Sequence, residues 1–264
     1  MKKVSIILFS VLALALGSCS KSVYYQVYQT QSTNADKCQL SDGYMMHEDS
    51  YVTVKYNFFA EEGNAGFWLT NNTDSVVFIN LAESFFIMNG MANDYFKARE
   101  WTSTKSQTIS TSKKEGKNKN NKKSNEVSTG SSSTSTSATA YIERGMVMVP
   151  PHATRYVSEY IINGTMMDLC NVTDTPKKGK SAGLSYTEEN SPIKFGNYIT
   201  YTVGVKGRKM AVSDNFFVSQ IINVNSGSMF EMVREKNACG KESGSKVEKM
   251  LYTTADRFYV TYKR

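Results

Sequence analysis

The stretch that decides the fold is YVTVKYNFFA, residues 51–60. Its apolar side chains recur at every second position, and Thr53, Lys55 and Asn57 stand between them. A period of two residues places the two sets of side chains on opposite faces of a β-strand. The stretch therefore predicts a strand with one buried and one solvent-facing side, as in an antiparallel sheet. The apolar set consists of Val52, Val54, Tyr56 and Phe58.

Short runs of the same kind surround this stretch, and turn residues separate them. Asn89-Gly90, between apolar runs at 85–88 and 91–96, is a dipeptide typical of a two-residue hairpin turn. We expect six strands before Trp101, and strands at this spacing are typical of a β-sandwich. The six predicted strands cover residues 23–29, 51–60, 65–70, 75–81, 85–88 and 91–96.

The C-terminal part of the chain continues this pattern. Residues 195–205 and 210–224 alternate in the same way and predict a hairpin, and residues 258–262 predict a closing strand. Only residues 228–238 show the apolar spacing and the flanking residues of a helix. The sequence therefore predicts an all-β fold, an antiparallel β-sandwich with one short helix.

Residues 102–140 differ from the rest of the chain in composition. Of these 39 positions, 30 are Ser, Thr, Lys or Asn. Such a segment buries too little apolar surface to offset the entropy of ordering it, so we expect a long disordered insertion. We expect it to interrupt a single sandwich formed by residues 19–101 and 141–264, rather than to separate two domains. It could serve as a flexible tether or a polyanion-binding arm, although a tolerated surface loop is the simpler interpretation.

The formal net charge of +7 does not indicate a nucleic-acid partner. Loss of Lys2 and Lys3 with a signal peptide would leave +5, and residues 102–140 hold seven lysines against Glu115 and Glu126, which is also +5. The folded remainder is then formally neutral. Without a basic stripe on a folded element, we expect no nucleic-acid binding.

The N-terminus has the layout of a secretory signal peptide. Lys2 and Lys3 precede an apolar run, residues 4–16, that is too short to span a bilayer. The residues that end it, LGSC at 16–19, resemble the lipobox of bacterial lipoproteins. The resemblance implies that residues 1–18 are removed and that Cys19 carries acyl chains such as palmitate. The alternative is a plain secreted protein with an incidental cysteine.

Several short motifs in the remaining chain resemble a family of uncharacterised Bacteroidota outer-membrane lipoproteins. The resemblance implies an immunoglobulin-like β-sandwich anchored to the cell outer membrane, and it brings no known activity or site residues. Because no acidic residue directly follows Cys19, we expect the periplasmic side rather than the cell surface. The motifs are YYQVY at 24–28, NNTD at 71–74, SFFIMNG at 84–90, VPP at 149–151 and SPI at 191–193.

Three cysteines remain once Cys19 is assigned to lipid. In an oxidising compartment one pair among Cys38, Cys170 and Cys239 could close, in any of three ways. The Cys170–Cys239 pair is one candidate disulfide, and closing its loop of about 70 residues would contribute roughly 4 kcal/mol in the chain-entropy model. Spacing alone does not select this pair. The spacings are too wide for a C-x-x-C metal or redox site.

The inventory of chemical motifs is sparse. The chain has only two histidines, His47 and His152, both expected at the surface, and it contains no G-x-S-x-G, P-loop or G-x-G-x-x-G pattern. We therefore expect no metal, no cofactor and no catalytic residues. Candidate binding aromatics are Trp68, Trp101 and Tyr95, for which core packing is the alternative interpretation.

The sequence thus favours a non-catalytic binding or structural module of the cell envelope, held on the membrane through lipid on Cys19. Its partner would be another envelope protein or a glycan. The alternative is a glycan- or peptide-directed hydrolase, or a carbohydrate-binding accessory of one. Sandwich folds host both classes, so the fold alone cannot choose between them.

Replacing Cys19 tests the lipid anchor. We expect the Cys19→Ala chain to remain as unprocessed precursor, because acylation of the cysteine precedes cleavage in the lipobox pathway. Migration on a gel and metabolic labelling with palmitate measure both effects. A Cys19→Ala protein that is cleaved normally, or a wild-type protein without label, would contradict the expectation.

Overall fold

A computed structural model describes residues 22–109 and 133–264, and nearly all regular structure in them is β. The residues form two compact units. The larger, the sandwich unit, combines the chain up to Tyr95 with Met146–Arg264, and the smaller, the hairpin unit, is Phe96–Gly145. No helix in the described part of the chain is long and apolar enough to cross a membrane.

Short turns join many of the strands, a long connection separates β11, which ends at Val157, from β12, which begins at Ser181, and one helix of four residues, α1, follows β14. In chain order the elements are β1 (Val23–Ser32), β2 (Cys38–Ser41), β3 (Tyr44–Glu48), β4 (Val52–Tyr56), β5 (Phe67–Asn71), β6 (Val77–Met88), β7 (Met91–Asp94), β8 (Glu100–Ile109), β9 (Ser133–Ile142), β10 (Met146–Val149), β11 (Thr154–Val157), β12 (Ser181–Ser185), β13 (Lys194–Val203), β14 (Lys209–Asn225), α1 (Ser226–Met229), β15 (Phe230–Lys236), β16 (Glu242–Met250) and β17 (Arg257–Lys263).

Two antiparallel sheets build the sandwich. The first has the order β10-β6-β13-β14-β1-β17, with β7 also paired to β6 and β12 also paired to β14. The second has the order β11-β5-β4-β3-β2. Strands from before and after the polar insertion pair in both sheets, β6 with β13 in the first and β5 with β11 in the second. The predicted fold class, an all-β antiparallel sandwich, is confirmed.

The core lies between the two sheets, and the alternation in residues 51–60 supplies part of it. Val52, Val54 and Tyr56 point inward from β4 and are fully buried, as is Phe58 beyond its end. The Phe58 ring lies edge-on to Phe216 of the opposite sheet, with centroids 4.9 Å apart. Each such side chain contributes roughly 1.5–3 kcal/mol through burial.

A buried carboxylate also connects the two sheets. Asp214 on β14 is 3% exposed, and its Oδ2 accepts a hydrogen bond of 2.6 Å from the Tyr56 hydroxyl. Its Oδ1 lies 2.6 Å from Nδ1 of His47 on β3. A second link joins the Tyr201 hydroxyl of β13 to Oδ2 of Asp49, at 2.7 Å. The sheets are therefore fixed to each other by hydrogen bonds as well as by apolar packing.

Two hairpins show the same turn chemistry, and only one of them was predicted. Asn89 and Gly90 have φ of 47° and 83° and join β6 to β7, which confirms the predicted turn. Asp42 and Gly43, with φ of 51° and 78°, join β2 to β3 in the same way. Positive φ at both central residues is what a type I′ turn requires.

The region around residues 228–238 differs from the predicted helix. Only α1 is helical there, and the chain from Phe230 continues as β15, which pairs with β16. Phe230 and Met250 pack against Val27 and Val224 on the outer side of the first sheet. Pairing with a partner strand outweighs the weak local preference of these residues for a helix.

The two ends of the predicted insertion pair with each other in the hairpin unit. Strands β8 and β9 are in register from Glu100 opposite Ile142 to Ile109 opposite Ser133. A backbone ladder needs no apolar side chains, so composition did not indicate it. The middle of the insertion, 110–132, lies outside the described residues, as do the signal peptide and Cys19.

Replacing Asp214 tests the link between the sheets. We expect Asp214→Ala to lower the free energy of unfolding by about 3 kcal/mol, because the Tyr56 hydroxyl then loses its buried acceptor. Tyr56→Phe removes only one hydrogen bond and should cost about 1 kcal/mol. The control is Asp36→Ala, in the exposed turn after β1, with an effect within about 0.5 kcal/mol. Urea denaturation measures all three, and an Asp214→Ala effect equal to the control would contradict the link.

Candidate functional site

The outer face of the five-stranded sheet carries a cluster of aromatic side chains. Phe67 and Leu69 of β5 point into the core, so Trp68 between them points to solvent. The Trp68 ring stacks on Tyr156 of β11, its cross-strand partner, with centroids 4.5 Å apart and planes at 27°. Tyr44 of β3 lies edge-on to Trp68 at 5.8 Å.

Lys55 completes this cluster from β4. It is the partner of Trp68 on the side opposite Tyr156, and its Nζ lies 5.5 Å from the centroid of the Tyr44 ring. No ion pair joins Lys55 to a carboxylate of the residues that the structure describes. Its charge is therefore available to a ligand. We call Tyr44, Lys55, Trp68 and Tyr156 together the aromatic face.

A row of threonines lies beside the aromatic face. Thr154, Thr70 and Thr53 are cross-strand neighbours on β11, β5 and β4. The hydroxyls of Thr70 and Thr154 are 2.8 Å apart, and the Asn72 side-chain amide donates to the Thr53 hydroxyl at 2.9 Å. A hydroxyl has one donor and two acceptor sites, so Thr70 and Thr154 keep hydrogen-bonding capacity for a ligand, whereas Thr53 is only 8% exposed.

The aromatic face is accessible but held in place. Tyr156 is 45% exposed, and Trp68, Tyr44 and Lys55 are half-buried. The Tyr156 hydroxyl accepts a hydrogen bond of 2.9 Å from the side-chain amide of Asn64. Stacking and this hydrogen bond fix the rings before any ligand arrives, which lowers the entropic cost of binding.

The three predicted binding aromatics have different positions. Trp68 lies on the aromatic face. Trp101 is 49% exposed in the hairpin unit, with the Arg99 guanidinium 5.4 Å from its ring centroid. Tyr95 is only 2% exposed, so it is no binding aromatic: it packs against Phe67 and donates a 2.6 Å hydrogen bond to Asn197.

The three cysteines of the described residues are free thiols. The candidate disulfide between Cys170 and Cys239 is not formed. Cys239 is in the turn between β15 and β16, where its N–H donates to Asn237 Oδ1, and Cys170 is in the connection between β11 and β12. Cys38 is buried at the start of β2.

Cys38, His47 and Asp214 come together between the sheets, which the sequence did not indicate. His47 was expected at the surface, but its side chain is 12% exposed and faces Asp214. Cys38 is its cross-strand partner. Burial raises the pKa of the Cys38 thiol, and the Asp214 carboxylate raises it further. The arrangement therefore disfavours the thiolate that nucleophilic catalysis needs.

No three His, Cys, Asp or Glu side chains of the described residues, the Cys38, His47 and Asp214 grouping included, are placed so that they could hold a metal ion together. Tyr44 and Tyr156 were not predicted as members of a site, because their strands are too short to show a clear alternation: β3 has five residues and β11 has four. For Tyr44, the turn dipeptide Asp42-Gly43 directly before it could have indicated a strand. For Tyr156, the only such signal was its alternation with Val157.

The reactivity of Cys38 tests this interpretation of the buried cluster. We expect iodoacetamide at pH 8.5 to label Cys38 far more slowly than the exposed Cys170 and Cys239, because a raised pKa leaves less thiolate at a given pH. Mass spectrometry of the labelled peptides compares the three rates within one sample. Labelling of Cys38 as fast as the two exposed thiols would contradict the expectation.

Comparison with known proteins gives no relative from which a function could be transferred. No family model, no curated protein and no solved structure matches this chain. The functional interpretation therefore depends on the geometry of the aromatic face.

Proposed function

We propose that this chain is a lipid-anchored, non-catalytic module of the bacterial cell envelope that binds a glycan through the aromatic face. The observation that carries the proposal is the stacked pair of Trp68 and Tyr156 on a solvent-facing sheet surface. Aromatic side chains of this size are usually buried, and where they are exposed together they commonly mark an interaction site.

The chemistry of the surroundings favours a sugar as the ligand. A pyranose ring has apolar C–H faces, which pack on aromatic rings, and a rim of hydroxyls, which need hydrogen-bond partners. On the aromatic face, Trp68 and Tyr156 can pack on the C–H face of a sugar. The exposed hydroxyls of the neighbouring threonine row can form hydrogen bonds with the hydroxyls of that sugar. A stable protein partner would be expected to cover a much wider surface than these four side chains provide.

A non-catalytic role is supported by the environment of the Cys38 thiol. Cys38 lies beside His47 and Asp214, but its pKa is raised rather than lowered. The polar groups named around Trp68 are hydroxyls, amides and one ammonium, which bind rather than transfer protons at neutral pH. One carboxylate adjoins them, Glu48, which lies opposite Thr53. Glycoside hydrolysis would need two carboxyl groups facing each other across the sugar.

The N-terminal sequence supports a location at the outer membrane. Acyl chains on Cys19 would anchor the chain durably, since each buried CH₂ contributes about 0.8 kcal/mol. We place the protein on the periplasmic side of the outer membrane, where envelope glycans are abundant. Another envelope protein remains the second kind of partner, to be sought by crosslinking in the native membrane.

Glycan binding by matched tryptophan variants tests the proposal. Full-length protein in detergent micelles is applied to an array of bacterial and host glycans, and each bound glycan is measured by calorimetry. We expect Trp68→Ala to weaken binding by about tenfold or more, since one aromatic contact contributes roughly 0.5–1.5 kcal/mol beyond its buried area. Trp101→Ala is the matched control and should bind as the wild type does.

Two outcomes would contradict the proposal. Equal affinity of the wild type and Trp68→Ala would remove the aromatic face from binding. Hydrolysis of an arrayed glycan that is abolished by one point substitution would show an enzyme instead.

A further inference from the structure

The chain enters the sandwich at one end of the eight-stranded sheet. The Ser22 N–H donates to the Arg264 carbonyl at 3.0 Å, and the Arg264 N–H donates to the Ser22 carbonyl at 3.2 Å. Val23, the first residue of β1, is in register with Lys263 of β17. Ser22, three residues after the predicted lipidation site, is therefore fixed at this end.

A lysine-rich loop lies at the same end. Tyr24 is opposite Asn225, and Val224 is opposite Ser181, so β12 also begins here. The Gly179 N–H donates to the Ser228 hydroxyl at 2.8 Å, which holds the loop before β12 against α1. We call the exposed cations gathered here the basic end. They are Lys177, Lys178, Lys180, Lys263 and Arg264.

The positive charge of the basic end is largely uncompensated. Arg264 pairs with Asp174 at 2.5 Å, but the four lysines form no ion pair with any residue that the structure describes. Two carboxylates line a cavity of about 540 Å³ beside Lys178, namely Glu231 and Glu248. Glu231 already lies 3.9 Å from the ammonium of Lys249. The lysines thus remain available to an outside anion.

The tether to the proposed anchor is short. Only residues 20–22 separate Cys19 from Val23. Four residue steps reach at most about 14 Å even when fully extended. Electrostatic screening at physiological salt has a length of about 8 Å, which is shorter than the fully extended tether. The tether therefore permits contact between nearby cations and the membrane surface, and attraction of those cations to anionic lipid would be needed to maintain it.

We propose that the basic end lies against the anionic phospholipid headgroups of the membrane that holds the anchor. This inference rests on the lipid anchor proposed above. The contact would be stabilised by attraction between the lysine ammonium groups and the phosphates of anionic lipids. Near such a surface, each lysine increases the equilibrium constant for contact by about fivefold. The contact would orient the sandwich rather than add a second anchor.

The orientation has a consequence for the aromatic face. Tyr56, the neighbour of Lys55, donates to Asp214, which lies on β14 eleven residues from Asn225 at the basic end. At 3.3 Å per residue this is about 36 Å along the strand. Contact of the basic end with lipid would therefore hold the aromatic face away from the bilayer, where a glycan can reach it.

Lysine footprinting on vesicles tests the orientation. Full-length lipidated protein is inserted into vesicles of phosphatidylcholine alone, or with 30% phosphatidylglycerol, and labelled briefly with a water-soluble acetylating reagent. We expect acetylation of Lys177, Lys178 and Lys180 to fall about fivefold in the anionic vesicles. The internal control is Lys206, which is exposed beyond the opposite end of β14 and should be labelled equally in both.

A charge-reversal variant provides a second measurement. Lys177→Glu with Lys180→Glu should abolish the protection of Lys178, whereas Lys206→Glu with Arg208→Glu should leave it unchanged. Equal labelling of all these lysines in a protein shown by mass spectrometry to be acylated would overturn the orientation and leave the anchor intact. A protein without acyl chains that enters the aqueous phase would overturn the anchor and this inference together.

Discussion

The carboxylate of Asp214 is the constraint on which the rest of the sandwich depends. It is the only charged side chain that is fully buried among the described residues, and it meets Tyr56 and His47 of the facing sheet. A slip of one residue in a strand moves every side chain to the other face. Because Tyr56 must point inward to reach Asp214, Lys55 must point outward. The same hydrogen bonds that join the sheets therefore determine which side chains form the aromatic face.

Local sequence patterns predicted the strands and turns that neighbouring residues determine. They missed the features that depend on contacts with residues far away in the sequence. Alternation identified β4 and the inward direction of Phe67, which places Trp68 outward, and Asn89-Gly90 identified its hairpin. Tyr95 could not be assigned to the core from sequence, since its partner Asn197 is about a hundred residues away. The predicted helix failed for the same reason, because β15 is stabilised by pairing with β16.

The two proposals describe one molecule with distinct ends. Lipid on Cys19 and the lysines of the basic end would fix how the sandwich stands on the membrane. The aromatic face lies on the five-stranded sheet, near the level of Asp214 on β14, and would remain accessible from the envelope space. Neither role needs catalysis, and the raised pKa of the Cys38 thiol agrees with a buried grouping that stabilises the fold rather than performs chemistry.

The fluorescence of Trp68 tests the central claim, that a glycan binds on the aromatic face, most directly. The chain has two tryptophans, so in a Trp101→Phe protein all tryptophan emission comes from Trp68. A glycan retained by the protein should change this emission saturably, with a midpoint equal to the dissociation constant from calorimetry. Binding that leaves the emission of Trp68 unchanged, but alters that of Trp101 in a Trp68→Phe protein, would contradict the account.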